Sequence, residues 1–169
     1  MQAWWQRIPL LNRLEEEHAR QWDVQIHRRK YPKNAVIFHE GQPREAVFFV
    51  LSGLVKTTKA DPAGKEQTIS LLQTGEMFPH IGLFDETPYP ATAKTILDTE
   101  LAFMAIDAFR RLLTHHPDTA AQVIIHMERK IQELQHRLQT MSSDVAQRFI
   151  AVLLQLADEF GIEQHGRTV

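Results

Sequence analysis

The sequence of 169 residues contains no cysteine, and this absence excludes several classes of protein at once. Disulfide-stapled folds, Cys-ligated zinc, iron–sulfur clusters and thiol catalysis all need that side chain. The net charge is only −2, so composition gives no general attraction to nucleic acid. No apolar run approaches the roughly 18 residues of a membrane span, and residues 1–11 lack the basic start and apolar core of a signal peptide. We therefore expect a cytoplasmic protein that does not engage a membrane.

The hydrophobic pattern indicates a β domain in residues 21–106. Trp22, Val24 and Ile26 alternate with polar residues, which predicts a half-buried strand. Further apolar runs are short and are separated by turn residues, which is typical of a sandwich or barrel, and a jelly roll suits them. These runs lie at 36–38, 47–51, 54–55, 68–72 and 101–106. Four glycines lie where the chain must reverse between strands, at Gly41, Gly53, Gly64 and Gly75.

Helical patterns flank this β domain. Residues 1–20 predict a short helical lead-in, and residues 107–113 predict a short helix that Asp107 would cap. Residues 117–141 predict an uninterrupted helix, which would be about 35 Å long at a rise of about 1.5 Å per residue. A last amphipathic helix is predicted over residues 145–160.

The long helix carries apolar residues at heptad spacing, which is typical of a coiled-coil seam. This stripe is narrower than the face that a helix buries against a globular core. The pattern therefore favours a parallel homodimer over packing of the helix on its own β domain, although both remain open. The predicted dimer interface consists of Ile124, Met127, Ile131, Leu134, Leu138 and Met141.

Five segments carry a family resemblance: Ile37–Gly41, Val47–Val55, Gly64–Glu66, Gly75–Phe78 and Asp144–Ala157. None is decisive alone, but their order and spacing resemble the CRP/FNR superfamily of bacterial transcription regulators. The resemblance implies an α+β fold that is mainly β. Its parts would be a double-stranded β-helix jelly roll of the cyclic-nucleotide-binding type, a long dimerisation helix and one further helix.

The resemblance also implies three parts in the chain. Residues 1–116 would form the lead-in, the β-roll effector domain and a short helix, residues 117–141 the dimerisation helix, and residues 142–169 the first helix of a DNA-binding domain. Relatives continue with a winged helix-turn-helix that this sequence lacks, so DNA would be bound only through that missing domain. An effector in the roll would shift the two long helices of a homodimer and reorient the DNA-binding domains.

The segment that binds phosphate in nucleotide-binding relatives is altered here. In those relatives a glutamate holds the ribose hydroxyl, and an arginine followed by Ser or Thr holds the cyclic phosphate. In this sequence His80 stands at the glutamate position, Pro79 has no N–H to donate, and Tyr89-Pro90-Ala91 occupies the arginine–serine region. A buried phosphate needs a cationic partner, so we expect no tight binding of cAMP or cGMP.

Two outcomes remain open for the pocket itself. It could take a small organic effector, or its aromatic side chains could simply fill the core of the roll. The residues predicted to line it are Phe78, Pro79, His80, Ile81, Leu83, Tyr89, Ala91, Arg129, Glu133 and Leu134. His80 is also a candidate haem ligand, as in gas-sensing relatives, but a lone histidine is more often hydrogen-bonded or at the surface. We expect no resident metal, haem or other cofactor.

The leading hypothesis is thus the sensor and dimerisation module of a transcription regulator, without enzymatic activity. One alternative is a stand-alone cyclic-nucleotide-binding-like module of a kinase or channel. Residues 144–160 argue against it, because they resemble the start of a DNA-binding domain. Another is a cupin-type metalloenzyme, suggested by His39-Glu40 in a jelly roll. It is disfavoured because His27 and His80 do not have the spacing of a cupin metal site.

Overall fold

The computed structural model describes residues 5, 8–11, 22, 24–61, 63–141, 149–150, 152–154, 156, 163–164 and 167–168. The chain divides into two compact units, Met1–Ile124 and Ile125–Val169. The helices of the described residues offer no segment that is both long enough and apolar enough to cross a membrane.

The described residues of the first unit form eight strands in two antiparallel four-stranded sheets. The strands are β1 (His27–Tyr31), β2 (Val36–Phe38), β3 (Ala46–Ser52), β4 (Val55–Ala60), β5 (Glu66–Leu72), β6 (Met77–Phe78), β7 (Thr92–Thr95) and β8 (Thr99–Ala105). One sheet has the order β1-β8-β3-β6, and the other has the order β2-β7-β4-β5. Helices α1 (Ile106–His115) and α2 (Pro117–Met141) follow. This arrangement confirms the predicted jelly roll and the long helix after it.

The core of the roll is rich in aromatic side chains. It consists of Phe38, Phe48, Val50, Val55, Leu72, Phe78, Tyr89, Ala93 and Leu101. Strand β3 contributes Phe48 and Val50 to this core, while Phe49 packs edge-on against Phe109 of α1 with ring centroids 6.0 Å apart. Because β3 is covered on both faces, its sequence is a continuous apolar run and does not alternate with polar residues.

Strand β1 forms one edge of its sheet and pairs only with β8 among the described strands. Its first four residues, His27, Arg28, Arg29 and Lys30, are all exposed. The guanidinium of Arg29 lies 5.0 Å from the ring centroid of Tyr31, within reach of a cation–π contact. The edge is therefore polar and basic along most of its length.

The predicted strand at Trp22–Ile26 is wrong. Trp22 is helical and buried, Val24 is 80% exposed, and the first strand begins only at His27. The indole N–H of Trp22 donates a hydrogen bond of 2.9 Å to Nε2 of His116, at the junction of α1 and α2. A contact 94 residues away, and not a strand pleat, explains the burial of this tryptophan.

Helix α1 begins one residue before its predicted start, and Asp107 is not its cap. Ala105 occupies the N-cap position and makes no side-chain cap hydrogen bond. Asp107 lies in the first turn, where its charge suits the helix dipole, and it pairs with Arg110 at 3.2 Å. Ile106, predicted as the end of a strand, is the first residue of α1.

The four glycines predicted at chain reversals are confirmed in left-handed conformations. Their φ angles are 79°, 93°, 80° and 92° at Gly41, Gly53, Gly64 and Gly75. Gly53, between β3 and β4, needs glycine for a second reason. A Cβ there would lie 2.5 Å from Oγ1 of Thr99 and 2.6 Å from the carbonyl oxygen of Asp98.

The helical lead-in predicted for residues 1–20 lies largely outside the described residues. Trp5 and residues 8–11 are linked by hydrogen bonds from Ile8 N to Trp5 O at 3.1 Å and from Leu11 N to Ile8 O at 2.9 Å. Ile8, Leu10 and Leu11 are buried. This short segment therefore adds to the buried apolar surface of the first unit.

Helix α2 has the predicted bounds, Pro117–Met141. Four of its heptad residues, Ile124, Ile131, Leu134 and Leu138, are exposed. Met127 is half-buried, and the side chain of Met141 lies outside the described set.

Beyond α2 the described residues are few. Within the predicted last helix, residues 149–150, 152–154 and 156 are helical, and the others at 142–162 lie outside the described set. Near the end of the chain, β9 (Glu163–Gln164) pairs with β10 (Arg167–Thr168). The polar sequence there did not predict this hairpin.

Candidate functional site

The loop of residues 79–91 joins β6 to β7 and contains most of the predicted effector-pocket residues. We call this loop the cassette. Phe78 immediately precedes it and Tyr89 lies near its end, and both side chains belong to the core of the roll. The cassette is therefore anchored in the core at both ends.

Tyr89 is packed and hydrogen-bonded by the chain itself. Its ring stacks on Phe38, with centroids 3.7 Å apart and planes inclined by 8°. Phe78 lies 6.0 Å from Phe38 and 5.3 Å from Phe48. The Tyr89 hydroxyl accepts from Ala46 N at 3.2 Å and donates to Ala46 O at 3.3 Å. Burial raises the pKa of Tyr89, so the group is a neutral phenol at ordinary pH.

The other predicted pocket residues of the cassette are distributed between core and surface. Pro79, Leu83 and Ala91 are buried, and His80 is half-buried. Ile81 is 65% exposed. The structure thus gathers Phe78 and Tyr89 around one aromatic cluster and leaves Ile81 facing solvent.

The three predicted residues of α2 lie in the second unit. Arg129 and Leu134 are exposed. The carboxylate of Glu133 accepts a hydrogen bond of 2.9 Å from Nζ of Lys130. The part of these residues in an effector site stays a prediction.

Arg44, in the turn before β3, reaches into the cassette, and sequence reasoning missed it. Its side chain is only 2% exposed. One terminal nitrogen donates to Oγ1 of Thr87 at 3.2 Å and to the carbonyl oxygen of Ile81 at 3.4 Å. The other donates to the carbonyl oxygen of Asp85 and, at 3.0 Å, to its carboxylate. Its buried Nε has no acceptor among the described residues.

Arg110 of α1 approaches the same loop from another direction. Its Nε donates to the carbonyl oxygen of Leu83 at 2.8 Å, and one terminal nitrogen donates to the carbonyl oxygen of Asp85 at 2.7 Å. Two guanidinium groups therefore share one carbonyl oxygen. Each of them donates to backbone or side-chain oxygens of the cassette.

Gly82 makes the approach of Arg44 possible. Its φ is 81°, and a Cβ at this position would collide with the guanidinium of Arg44 and lie 2.7 Å from Oγ1 of Thr87. A signal for this arrangement exists in the sequence, because Asp85-Glu86-Thr87 can close an Asx turn. Thr87 N does donate to Oδ1 of Asp85 at 3.0 Å. Nothing in the local sequence, however, points from this turn to Arg44.

Acid should loosen the cassette only at very low pH. Hydrogen bonds from the hydroxyl and N–H of Thr87 and from Arg44 lower the pKa of Asp85 from 3.8 to about 2. A lowered pKa contributes stability that is present above the ordinary value and is lost as the pH falls through the folded-state value. We expect amide exchange in the cassette to keep its intrinsic pH dependence from pH 7 to about pH 4, and extra opening to grow progressively as the pH falls from 3.8 to about 2. Opening with a midpoint near pH 4 would contradict this assignment.

The described residues offer no ready metal site. No three His, Asp or Glu side chains in this part of the chain come close enough together to hold an ion. A surface pocket of about 450 Å³ lies near the end of β1 and the start of β8, with Lys30, Asp98 and Glu100 among its lining residues. It contains none of the predicted effector-pocket residues.

Comparison with known proteins places this roll and cassette in a regulatory class. The sequence model of the family described as "Cyclic nucleotide-binding domain" matches residues 28–116. The "Cyclic AMP receptor protein" of Thermus thermophilus is 30% identical over 146 residues, which are 86% of this chain and 68% of the relative. The "CRP-like cAMP-activated global transcriptional regulator" of Mycobacterium tuberculosis is 28% identical over 137 residues, or 80% of this chain.

The structural comparison agrees with the sequence comparisons. The crystal structure of the Thermus thermophilus catabolite activator protein has a TM-score of 0.67 at 30% identity, covering 79% of this chain and 63% of that one. The chain spans 61% of the length of the mycobacterial relative. The chain belongs to the cyclic nucleotide-binding domain family, within the CRP/FNR group of transcription regulators.

Proposed function

We propose that residues 1–169 form the sensor and dimerisation module of a CRP/FNR-type transcription regulator. The module would respond to an effector other than cAMP, or hold its conformation without one. Membership in the family and the names of its relatives support a role in transcription and give no reason to propose an enzyme. A net charge of −2 gives no general attraction to phosphates, so the proposal assigns these residues sensing and not DNA reading.

One observation carries the effector part of this proposal: the arginines that reach the cassette donate to the cassette's own oxygens. Arg44 is bound to Asp85 and Thr87, and Arg110 is bound to the carbonyl oxygens of Leu83 and Asp85. Tyr89-Pro90-Ala91 occupies the region where nucleotide-binding relatives are expected to hold phosphate, and none of the three residues offers a cationic group. A cyclic phosphate would therefore be desolvated without charge compensation.

Titration calorimetry tests this directly. We expect cAMP to bind residues 1–169 with a Kd weaker than about 1 mM, which corresponds to a binding free energy smaller in magnitude than about 4 kcal/mol. The Thermus thermophilus relative, named a cyclic AMP receptor protein, serves as the positive control in the same buffer. A micromolar Kd for this chain would overturn the proposal.

The dimerisation part rests on the surface of α2. Ile124, Ile131, Leu134 and Leu138 recur at heptad positions, and all four are exposed in the single chain. An exposed apolar stripe of this length favours burial against a second copy of itself. We propose a parallel pair of α2 helices about a two-fold axis.

A further inference from the structure

The cassette is held by side chains that come from two separate parts of the first unit. Arg44 lies in the turn before β3, and Arg110 lies on α1. Both donate to the carbonyl oxygen of Asp85. A loop that binds a ligand needs a source of order for its backbone, and here that order comes from two arginines of the chain.

The environment of Arg44 requires an anion. A guanidinium cannot lose its proton, and a side chain that is 2% exposed leaves its charge largely desolvated. The carboxylate of Asp85 supplies the opposite charge at 3.0 Å. The same Oδ1 accepts from the hydroxyl of Thr87 at 2.6 Å and from its N–H at 3.0 Å. Three donors therefore hold one carboxylate oxygen in a fixed position.

We propose that Asp85 serves as a built-in anionic ligand of Arg44, so that the cassette reaches its ordered conformation with no small molecule bound. This inference rests on the regulatory function proposed above and specifies how the site is regulated. The resting state of the cassette is the closed one. An effector acts by opening or reshaping this latch, the set of contacts among Arg44, Asp85 and Thr87, and not by assembling it.

Arg110 connects the latch to α1 by hydrogen bonds. It donates to Leu83 and Asp85 in the cassette, and on its own helix it pairs with Asp107 at 3.2 Å. The last residue of α1, His115, is separated from the first residue of α2 by His116 alone. A displacement of the cassette would therefore be transmitted to the N-terminal end of α2 through one side chain and one short helix.

Residue-resolved hydrogen exchange on residues 1–169, with no effector added, tests the latch. The reporter is the amide of Tyr89, which donates to Gln42 O at 2.9 Å and so reports on the C-terminal end of the cassette. For Arg44→Gln we expect exchange at Tyr89 to rise by about tenfold or more, since hydrogen bonds to charged groups contribute on this scale. Arg44→Lys keeps the charge but lacks the planar guanidinium. Its exchange rate at Tyr89 should therefore lie between those of the unsubstituted chain and Arg44→Gln.

Arg110→Gln tests the link to α1. We expect it to speed exchange both at Tyr89 and in residues 106–116. Its matched control is Arg111→Gln, because Arg111 is the next residue and is exposed, and its guanidinium donates to Oε1 of Gln25, outside the cassette, at 3.4 Å. Arg28→Gln, on the exposed edge strand, is the control for Arg44→Gln. Neither control variant should change amide exchange in the cassette.

The exchange pattern distinguishes loss of the latch from unfolding of the roll. If Arg44→Gln also loses protection in β3 and β8, it has unfolded the roll, and Asp85→Ala replaces it, since that side chain is 56% exposed. Unchanged exchange at Tyr89 in a folded Arg44→Gln or Asp85→Ala protein would overturn the latch. Because no effector is present, a micromolar Kd for cAMP with an intact latch would refute the proposed function and leave this inference standing.

Discussion

Replacing Leu134 by aspartate is expected to convert a dimer of this chain into monomers. Leu134 is 54% exposed in the single chain and lies at the centre of the heptad stripe. In a two-fold seam the substitution places two carboxylates opposite each other, and both would be desolvated. We expect the dissociation constant to weaken by at least about 100-fold, which is about 2.7 kcal/mol. Sedimentation velocity at micromolar concentration measures it.

Gln132→Asp is the matched control for this substitution. It adds the same charge to α2 two residues away, at an exposed position outside the stripe, and should leave the dimer intact. Helix propensity changes little between the two variants. A parent chain that already sediments as a monomer at micromolar concentration would show that the seam does not form.

Phe49→Ala should cause a large loss of stability without touching the cassette. Phe49 is fully buried between β3 and α1, where it meets the ring of Phe109. Truncation of a buried phenylalanine lowers the free energy of unfolding by about 3–5 kcal/mol, because the cavity closes only in part. That loss is a large share of the roughly 5–15 kcal/mol that holds a typical domain folded. Urea unfolding followed by circular dichroism reports it.

Phe84→Ala provides the comparison for Phe49→Ala. This phenylalanine is 73% exposed on the cassette, so its removal should change stability by no more than about 0.5 kcal/mol. Equal losses in the two variants would mean that the packing of β3 on α1 contributes little.

The fold could be predicted from the sequence where the pattern reflects local burial. The run Val47–Leu51 indicated a buried strand, and the heptads of residues 117–141 indicated a long helix with the observed bounds. Trp22 misled the prediction because Trp22, Val24 and Ile26 alternate with polar residues, as the residues on one face of a strand do. Its burial comes instead from a hydrogen bond to His116, and no window of a few residues contains that information.

The candidate site also has some features that the sequence could predict and others that it could not. The prediction that phosphate ligands are missing at Tyr89-Pro90-Ala91 depends on residue identity alone, so it could be made from the sequence. The role of Arg44 could not be predicted in this way, because its partner Asp85 is 41 residues away and a buried arginine looks in sequence like any surface arginine. Gly82 admits the guanidinium, but its positive φ is a property of the folded chain and is not given by the sequence. Only the tertiary structure identifies Arg44 as its neighbour.

The charged edge of the roll has a consequence for how this chain behaves at high concentration. Strand β1 leaves unpaired backbone groups on its outer side among the described residues, and such a row invites strands of other molecules. A neighbouring copy that docked there would bring its own Arg28, Arg29 and Lys30 against the same three cations. The repulsion between like charges disfavours growth of the sheet from one molecule to the next. The basic run of β1 thus protects the roll against aggregation through its edge, and leaves the apolar stripe of α2 as the favoured place for self-association.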